Sequence, residues 1–555
     1  MPKRLGWIML VAVGFTLSAY GAQVEVNSVT GKEDGTSPFK YLADAVEFLR
    51  GDPFAEDNTI TITNDGPHFL DETLKIDVQV KIQAAPGVKP VIVGFFSQAA
   101  DMILDPFLYV QISDGGGNFL IQIVPQEYST VELDGLTIIP MADETEHQQF
   151  RQTAVIFGNV DYFGNKSTPG AKLIIRNCTI TSNDGQNRPS PVTGTAAPLP
   201  TDTVFGGAGL ELGASGFSAL DDNLEPVPDA DLEAYNVLVE NCLITHCWIY
   251  GINIAAEKVV IKDTDILYNG MRGIQNIHGE NDAWQSIRIT GSPGDPAVFK
   301  GNGYVFAADG LFPGFQPFIT GTAMRMFGNQ VIDFAWLDIV ENHDNVPLDI
   351  SSDNDTRGAN IRSLDHVLIA NNKGSSLFTT RDGGPTFTTG LAHIPLTISN
   401  CTFIGTGQST PSTGGKSGSI FFYAGVAPVT ITNSILGGPN YTGIVLGAED
   451  QSGGDSGIPE NITPAGVTIE YSALVDEGPF ALGAKTALGA RRTAGEIIQT
   501  HVIGADPQFA STASSGPDSF VVRNPAYQNA GPGGTFLTGA RPPVPPTAVQ
   551  EWSLY

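Results

Sequence analysis

The stretch from Glu341 to Arg362, ENHDNVPLDISSDNDTRGANIR, gathers His343, Asp344, Asp349, Asp353, Asp355, Arg357 and Arg362 into 22 residues. Imidazole, carboxylate and guanidinium groups at this density are what proton transfer and anion recognition require. Asp349, Asp353 and Asp355 could supply oxygens to Ca²⁺, a hard cation, although their spacing is not that of an EF-hand and a solvated acidic turn has the same composition. A second concentration runs from Tyr268 to Trp284 and includes Arg272, Gln275, His278, Glu280 and Asp282, with Trp248 and Tyr250 one repeat earlier. Rings beside amides and charges suit sugars, which have apolar faces and hydroxyl edges; ordinary surface with half-buried rings reads the same way.

The elements that must position these groups are short and repeated. LIIRNCTITSN at Leu173, VLVENCLITHC at Val237 and LTISNCTFIGT at Leu396 share three alternating apolar residues followed by Asn-Cys. By similarity the register includes Asp134, Asn177, Asn241, Asp263, Trp336, Asp365, Asn400, Asn433 and Glu470, with early gaps near 22 residues or its multiples. Alternating strands at such a period predict a β-solenoid, in which each coil buries its face only by stacking on its neighbours. The asparagine is expected at an inner bend, bonded to backbone and to the asparagine of the next coil, with the cysteine in the core.

A second strand follows each marker, as in YGINIA, RGIQNI, AMRMFG and VPLDIS. Period-two alternation turns the middle residue of each apolar–variable–apolar triplet outward. The outward row then reads Ile156, Glu211, Asn253, Gln275, Arg325, Asp349, Phe378, Phe421, Val445 and Ala481, and is polar only in the middle. Arg325 and Asp349 should lie on neighbouring coils, about 4.8 Å apart, with Gln275 about two coils before Arg325. Glu211 and Asp349 are too distant in this scheme to serve as a glycosidase pair.

Bulk properties narrow the classes. A formal charge of −30, from 59 acidic and 29 basic side chains, repels nucleic acid and bare polyanions. Lys3 and Arg4, an apolar run from Trp7 to Leu17 and small residues before Ala22 predict a signal peptide over 1–21 and a secreted chain with no transmembrane segment after its removal. Four cysteines in an exported chain invite disulfides, but Cys178, Cys242 and Cys401 share one repeat position and read as stacked buried thiols; Cys242 and Cys247 could still pair.

With these residues in view, the chain resembles the right-handed parallel β-helix proteins of the pectate-lyase-like superfamily, including secreted bacterial members, from Val24 to Gly531. DGTSPFKYLADAVEFLR at Asp34 resembles the helix that plugs the first coil, with Ser37 as cap, Pro38 at the first helical position, and Phe39, Leu42, Ala45, Val46 and Leu49 on one face. ITITNDGPHFLDETLKI resembles the family's first coil, and ADPQF with RNPAYQNAG its closing segments. The family includes lyases, hydrolases, esterases and proteins without known reaction. Its hydrolase signature of adjacent aspartates followed by Gly-His-Gly is missing. Leu364-Asp365-His366 resembles a pectate-lyase core, but no Arg-Pro-Arg follows, and Asp365 occupies the repeat marker.

The expectation is therefore an all-β, right-handed parallel β-helix over 22–538 with a short N-terminal capping helix, and a Pro-rich tail over 539–555. Inserts at 184–203, 214–234, 303–321, 405–418 and 447–465 interrupt it. It is expected to be extracellular or at a bacterial cell surface with polysaccharide as its partner, as an enzyme of the lyase class on acidic polysaccharide or as a noncatalytic scaffold. Arg325, Asp349 and His343 are the candidate catalytic residues. Gln275, Arg272, Asn253, Trp248 and Tyr250 are candidates for substrate binding, and Asp349, Asp353 and Asp355 for Ca²⁺.

Overall fold

The computed structural model describes residues 21–541 apart from several segments, the longer being 95–118, 141–152, 159–170, 182–207, 214–235, 277–284, 304–321, 353–358, 373–378, 383–393, 406–418, 447–466 and 476–496. Most of the inserts, and residues 1–20, thus lie outside the described residues. The chain divides into two compact units, the first ending at Trp248 and the second running on from Ile249.

In each unit three columns of parallel strands stack coil upon coil, the architecture of a right-handed parallel β-helix. In the first column of the first unit Val24, Ile60, Ile82, Leu133, Ile175 and Val239 are successive partners. The same column of the second unit aligns Ile261, Ile289, Phe334, Leu364, Ile398, Ile431 and Ile469. These inward residues are buried, and each contributes about 1.5–3 kcal/mol by leaving water.

Among the described residues the one α-helix, α1 (Leu42–Leu49), closes the first coil with Leu42, Ala45, Val46 and Leu49 buried. It starts later than the sequence suggests. Tyr41 is its N-cap, while Ser37 Oγ accepts the Glu25 amide and Phe39 pairs its backbone with Glu25 and Asn27 instead of opening the helix.

The Asn-Cys repeat is a one-residue corner. Gly135, Asn177, Asn241, Asp263, Trp336, His366, Asn400, Asn433, Tyr471 and His501 all have positive φ, the left-handed conformation that Gly, Asn and Asp enter most readily. Where the next residue is Cys, Ser or Thr, its side chain donates back to the carbonyl two residues earlier. Cys178 Sγ meets Arg176 at 3.0 Å, Cys401 Sγ meets Ser399 at 3.1 Å, Ser434 Oγ meets Thr432 at 2.8 Å and Thr264 Oγ1 meets Lys262 at 2.9 Å. Cysteine is thus a small buried donor interchangeable with Ser and Thr. No disulfide joins any of the four cysteines, Cys242 and Cys247 included.

Two details of the expected register change. Asp134 pairs with Arg176, Asp365 with Ser399, and Glu470 with Thr432, so Gly135, His366 and Tyr471 hold the corner rather than Asp134, Asp365 and Glu470. The corner asparagines also face outward: Asn177 and Asn241 are exposed. They still form the expected ladder, with Asn241 Nδ2 donating to Asn177 Oδ1 at 2.6 Å and Asn177 Nδ2 to Asp134 Oδ1 at 2.8 Å. Where rings replace amides the ladder continues by stacking, Trp336 on His366 at 3.8 Å and Tyr471 on His501 at 4.5 Å.

The buried ladder is a different one. Asn269, Asn302, Asn342 and Asn372, at the corner after the second short strand of successive coils of the second unit, are almost entirely inaccessible. Each Nδ2 of the first three donates to the next Oδ1 at 3.0 Å, and the Nδ2 groups of Asn302, Asn342 and Asn372 also reach backbone carbonyls at 2.9–3.0 Å. Gly251 and Gly273 are the second residues of the third-column strands Tyr250–Ile254 and Arg272–Asn276. A Cβ on Gly251 would stand 2.7 Å from the Gly273 carbonyl oxygen and 2.9 Å from Asn269 Nδ2, and one on Gly273 2.6 Å from the Ala323 carbonyl oxygen and 3.2 Å from Asn302, so the backbone of the next coil, with the ladder beside it, accounts for the glycine in YGINI and RGIQN.

The C-terminal segment 505–541 folds back along the second unit. Phe520 and Ala540 pack on Val340, Leu368 and Ala370, and Tyr527 and Leu537 pack on Ile435 and Ala473. Arg541 pairs with Asp338 at 2.5 Å and the Ala540 amide donates to Thr402 Oγ1. Gly539, Ala540 and Arg541 therefore belong to the fold, and the expected tail boundary at 538 moves past Arg541.

Candidate functional site

The third column of the second unit carries the candidate site. Ile252, Ile274, Met324 and Leu348 are register partners facing the core, and all are fully buried. The residues after them, Asn253, Gln275, Arg325 and Asp349, form the adjoining line, one per coil. Arg325 and Asp349 are thus neighbours in register, as the spacing required. Gln275 is the direct partner of Arg325, one coil away rather than two, because residues 277–321 join the two strands within a single turn of the helix. Beyond Asp349 the line runs through Thr379, Phe422 and Val445, one position later than Phe378 and Phe421.

Accessibility departs from the expectation. Arg325 and Tyr250 are half-buried, but Asn253, Arg272, Gln275 and Asn276 have 4% exposure or less. Alternation places Asn253 and Gln275 outside the apolar core, yet they are not open surface. Arg272 stands beside Tyr250, its guanidinium 6.0 Å from the ring centroid, and donates through Nη1 to Gln275 Oε1. Asn276 Nδ2 donates to Gln285 Oε1 at 2.6 Å, and Gln285 Nε2 reaches the Ala255 and Ala256 carbonyls. Gln275 Nε2 is buried and makes no hydrogen bond.

The acidic stretch does not converge as a unit. His343 lies at the corner after Asn342, its amide donating to the Asn302 carbonyl at 2.9 Å, and is not on Arg325's line. Arg362 belongs to the first column, where it is the extra residue of a β-bulge opposite Ile332 and Asp333 and holds the Asp333 carboxylate, with its Nε at 3.0 Å. Asp353, Asp355, Arg357, Trp248 and residues 277–284 lie outside the described residues, as does the side chain of Asp349. Among the described residues no three acidic, His or Cys side chains group as a metal site.

His366 is a structural ring. It stacks on Trp336 and its Nδ1 lies 3.0 Å from Asp365 Oδ2. Burial pushes the Asp365 carboxyl up, but hydrogen bonds from His366, Ser399 and Asn400 outweigh it and hold the group at about 2. Sequence reasoning set this Asp-His pair aside for want of an Arg-Pro-Arg companion, and weighed Glu211 only as a partner for Asp349, from which it is too distant. In the first unit the corresponding line reads Lys75, Gln122, Ile156 and Glu211. Close packing pushes the Glu211 carboxyl up to about 7 against a weak 3.4 Å hydrogen bond from Thr153.

No protein family and no curated protein matches the chain. Solved structures are distantly similar. The enzymatically active domain of tailspike protein 2 from bacteriophage CBA120 is 10% identical over 81% of this chain and 47% of its own, with a TM-score of 0.31. Pectate lyase Pel9A is 8% identical over 90% and 85%, with a TM-score of 0.34, and the family 28 exopolygalacturonase of Yersinia enterocolitica 10% over 88% and 77%, with a TM-score of 0.28. The chain spans about half the length of the tailspike it matches. At these values the likeness carries no argument about the site.

Proposed function

We propose that the chain is an exported polysaccharide-binding protein that holds its polymer along the third strand column of the second unit. The observation that carries this reading is the unbroken register Asn253–Gln275–Arg325–Asp349, which repeats one polar residue per coil beside Tyr250. A polymer of repeating sugars meets repeating hydrogen-bonding groups on such a line, with a ring at its edge to cover an apolar sugar face. The finer reading is β-elimination on an acidic polysaccharide. Arg325 would face the sugar carboxylate, and Asp349 would take the C5 proton as the C4–oxygen bond breaks, leaving a C4=C5 double bond, with a proton from water completing the hydroxyl on the departing chain; His343, at the corner off this line, would not reach that proton. Asp349, Asp353 and Asp355 are oxygen donors of the kind Ca²⁺ takes, and that cation would neutralise the carboxylate.

The burial of Asn253, Arg272 and Gln275 favours a second reading, a noncatalytic scaffold whose polar line is structural. Incubation with a panel of acidic and neutral polysaccharides separates them, read by ultraviolet absorbance of unsaturated products, by reducing ends and by retention on immobilised polymer. Retention that Arg325→Ala abolishes supports binding at this line, and unsaturated products that Arg325→Ala and Asp349→Ala abolish support the lyase. A chain that neither retains nor cleaves any member of the panel leaves the scaffold. Calorimetric titration with Ca²⁺, repeated on Asp353→Asn, tests the cation separately.

A further inference from the structure

We infer that Cys178 and Cys242 are a cross-linking site: in the presence of a low-molecular-weight disulfide as oxidant they form a disulfide that staples two adjacent coils of the first unit.

The register makes the pair. Arg176 pairs with Glu240 and Thr179 with Leu243, which leaves Asn177 opposite Asn241 and Cys178 opposite Cys242. Strand partners lie about 4.8 Å apart, inside the range of about 4.4–6.8 Å that the Cα atoms of a disulfide span. Both corner asparagines have a φ of 52°, and both thiols take the same pose, Cys178 Sγ on the Arg176 carbonyl at 3.0 Å and Cys242 Sγ on the Glu240 carbonyl at 3.2 Å. The two side chains therefore leave their corners in the same direction, and the Cys242 thiol is a hydrogen-bonding neighbour of Cys178. Cys401 has the same pose but meets Ser434 on the next coil, while Cys242 and Cys247 are held apart at opposite ends of the strand Leu243–Thr245. Disulfide Cβ atoms stand about 3.5–4.5 Å apart, slightly less than the strand spacing, so the bond draws the two corners together and stays reducible.

The chemistry is a thiol–disulfide exchange. One cysteine loses its proton, its thiolate attacks a sulfur of glutathione disulfide, and one glutathione leaves as the thiolate; the second cysteine thiolate then displaces the other glutathione from the mixed disulfide. Two protein thiols are oxidised and one glutathione disulfide is reduced to two glutathiones. Burial, and then the Cys242 thiol beside it, push the Cys178 thiol well above its ordinary range, so in the closed fold it keeps its proton and reacts slowly. The exchange thus belongs to the folding chain, before these coils close. The paired corners stand 64 positions apart, and a link across so long a loop restricts the unfolded chain far more than the folded one.

The test is refolding of the full chain in buffers of graded reduced and oxidised glutathione. After alkylation, digestion with a glutamate-specific protease cuts between the two cysteines at Glu211, Glu233 and Glu240, and mass spectrometry reads the linked fraction at equilibrium. The fold should move the midpoint about tenfold or more toward reducing buffer, relative to the same titration in urea. Cys401→Ser and Cys247→Ser should keep the link and Cys178→Ser should lose it. Serine suits this position, since Ser434 and Ser472 make the same bond to the carbonyl two residues earlier, and circular dichroism checks that each variant is folded. A midpoint equal to that in urea, a Cys242–Cys247 link in its place, or a link to Cys242 that survives Cys178→Ser overturns the inference.

Discussion

Replacing Asn302 by Leu tests whether the buried asparagine ladder holds the second unit together. Asn302 is fully inaccessible and acts in both directions. Its Oδ1 accepts from the Asn269 amide at 3.1 Å and from Asn269 Nδ2 at 3.0 Å; its Nδ2 donates to the Ile266 carbonyl at 2.9 Å and to Asn342 Oδ1 at 3.0 Å. Leucine has nearly the same shape, so little cavity forms and the loss is polar. The Asn269 amide, its Nδ2 and the Ile266 carbonyl lose this partner in a site closed to water, whereas Asn342 Oδ1 still accepts from the Asn302 backbone amide at 3.0 Å. At about 1–3 kcal/mol for each buried group left unmade, with some relaxation, the cost should be about 3–6 kcal/mol. The outward ladder supplies the control. Asn177→Ala removes side-chain bonds of the same kind at an exposed corner, where water replaces the partner, and should cost about 1–2 kcal/mol, mostly from the left-handed φ of 52° that alanine resists. Urea unfolding followed by circular dichroism, with slope and midpoint fitted for each variant, measures both. Asn302→Leu costing no more than Asn177→Ala would refute the view that burial, rather than the number of bonds, makes this ladder matter.

Leu348→Asp places a carboxylate at a fully buried core position and should cost several kcal/mol, read as a lower melting temperature; an unchanged one would mean that the strand faces the other way. Arg541→Ala leaves the nearly buried Asp338 carboxylate without its cation and should cost about 3–5 kcal/mol, with faster proteolysis within 505–541; equal cleavage rates would show that the segment is held by its apolar contacts alone. For Asp365 the folded carboxyl lies at about 2, below the unfolded value of about 3.9, so its contribution is present above about pH 4 and lost as pH falls through 2. The stability gap between the unaltered chain and Asp365→Asn should close in that window. Glu211 has the opposite sign: raised to about 7, it holds its proton in the fold after the unfolded chain has lost one near pH 4.3, so stability falls between those values. Glu211→Gln should be the more stable form above about pH 7 and similar to the unaltered chain near pH 4; parallel pH profiles would place the carboxyl in water.

The coils, the inward residues and the stacked thiols were legible in the linear pattern because alternation is a local property. Once Leu173 and Ile175 face the core, Ile174 cannot, and a period near 22 residues repeats the choice. The buried ladder also left a signal that went unread, the recurrence of Asn269, Asn302, Asn342 and Asn372 after each second short strand. The C-terminal segment left another. Val340, Leu368, Ala370, Ile435 and Ala473 are apolar at positions where earlier coils carry Thr137, Thr179 and Lys300, so the late coils are written for burial on both faces. What covers that face could not be read, because the contact between Asp338 and Arg541 spans 203 residues and no periodicity connects them. The corner register was ambiguous for a related reason: Asp365 and His366 both suit a turn, and the neighbouring strand, through the pairing of Asp365 with Ser399, decides which one bends. The site shows the same division. Alternation alone placed Gln275 and Arg325 on one line, whereas the closure of the structure over Gln275 and the bond from Arg272 that orients its amide depend on packing between segments distant in the chain, and only the tertiary structure sets them.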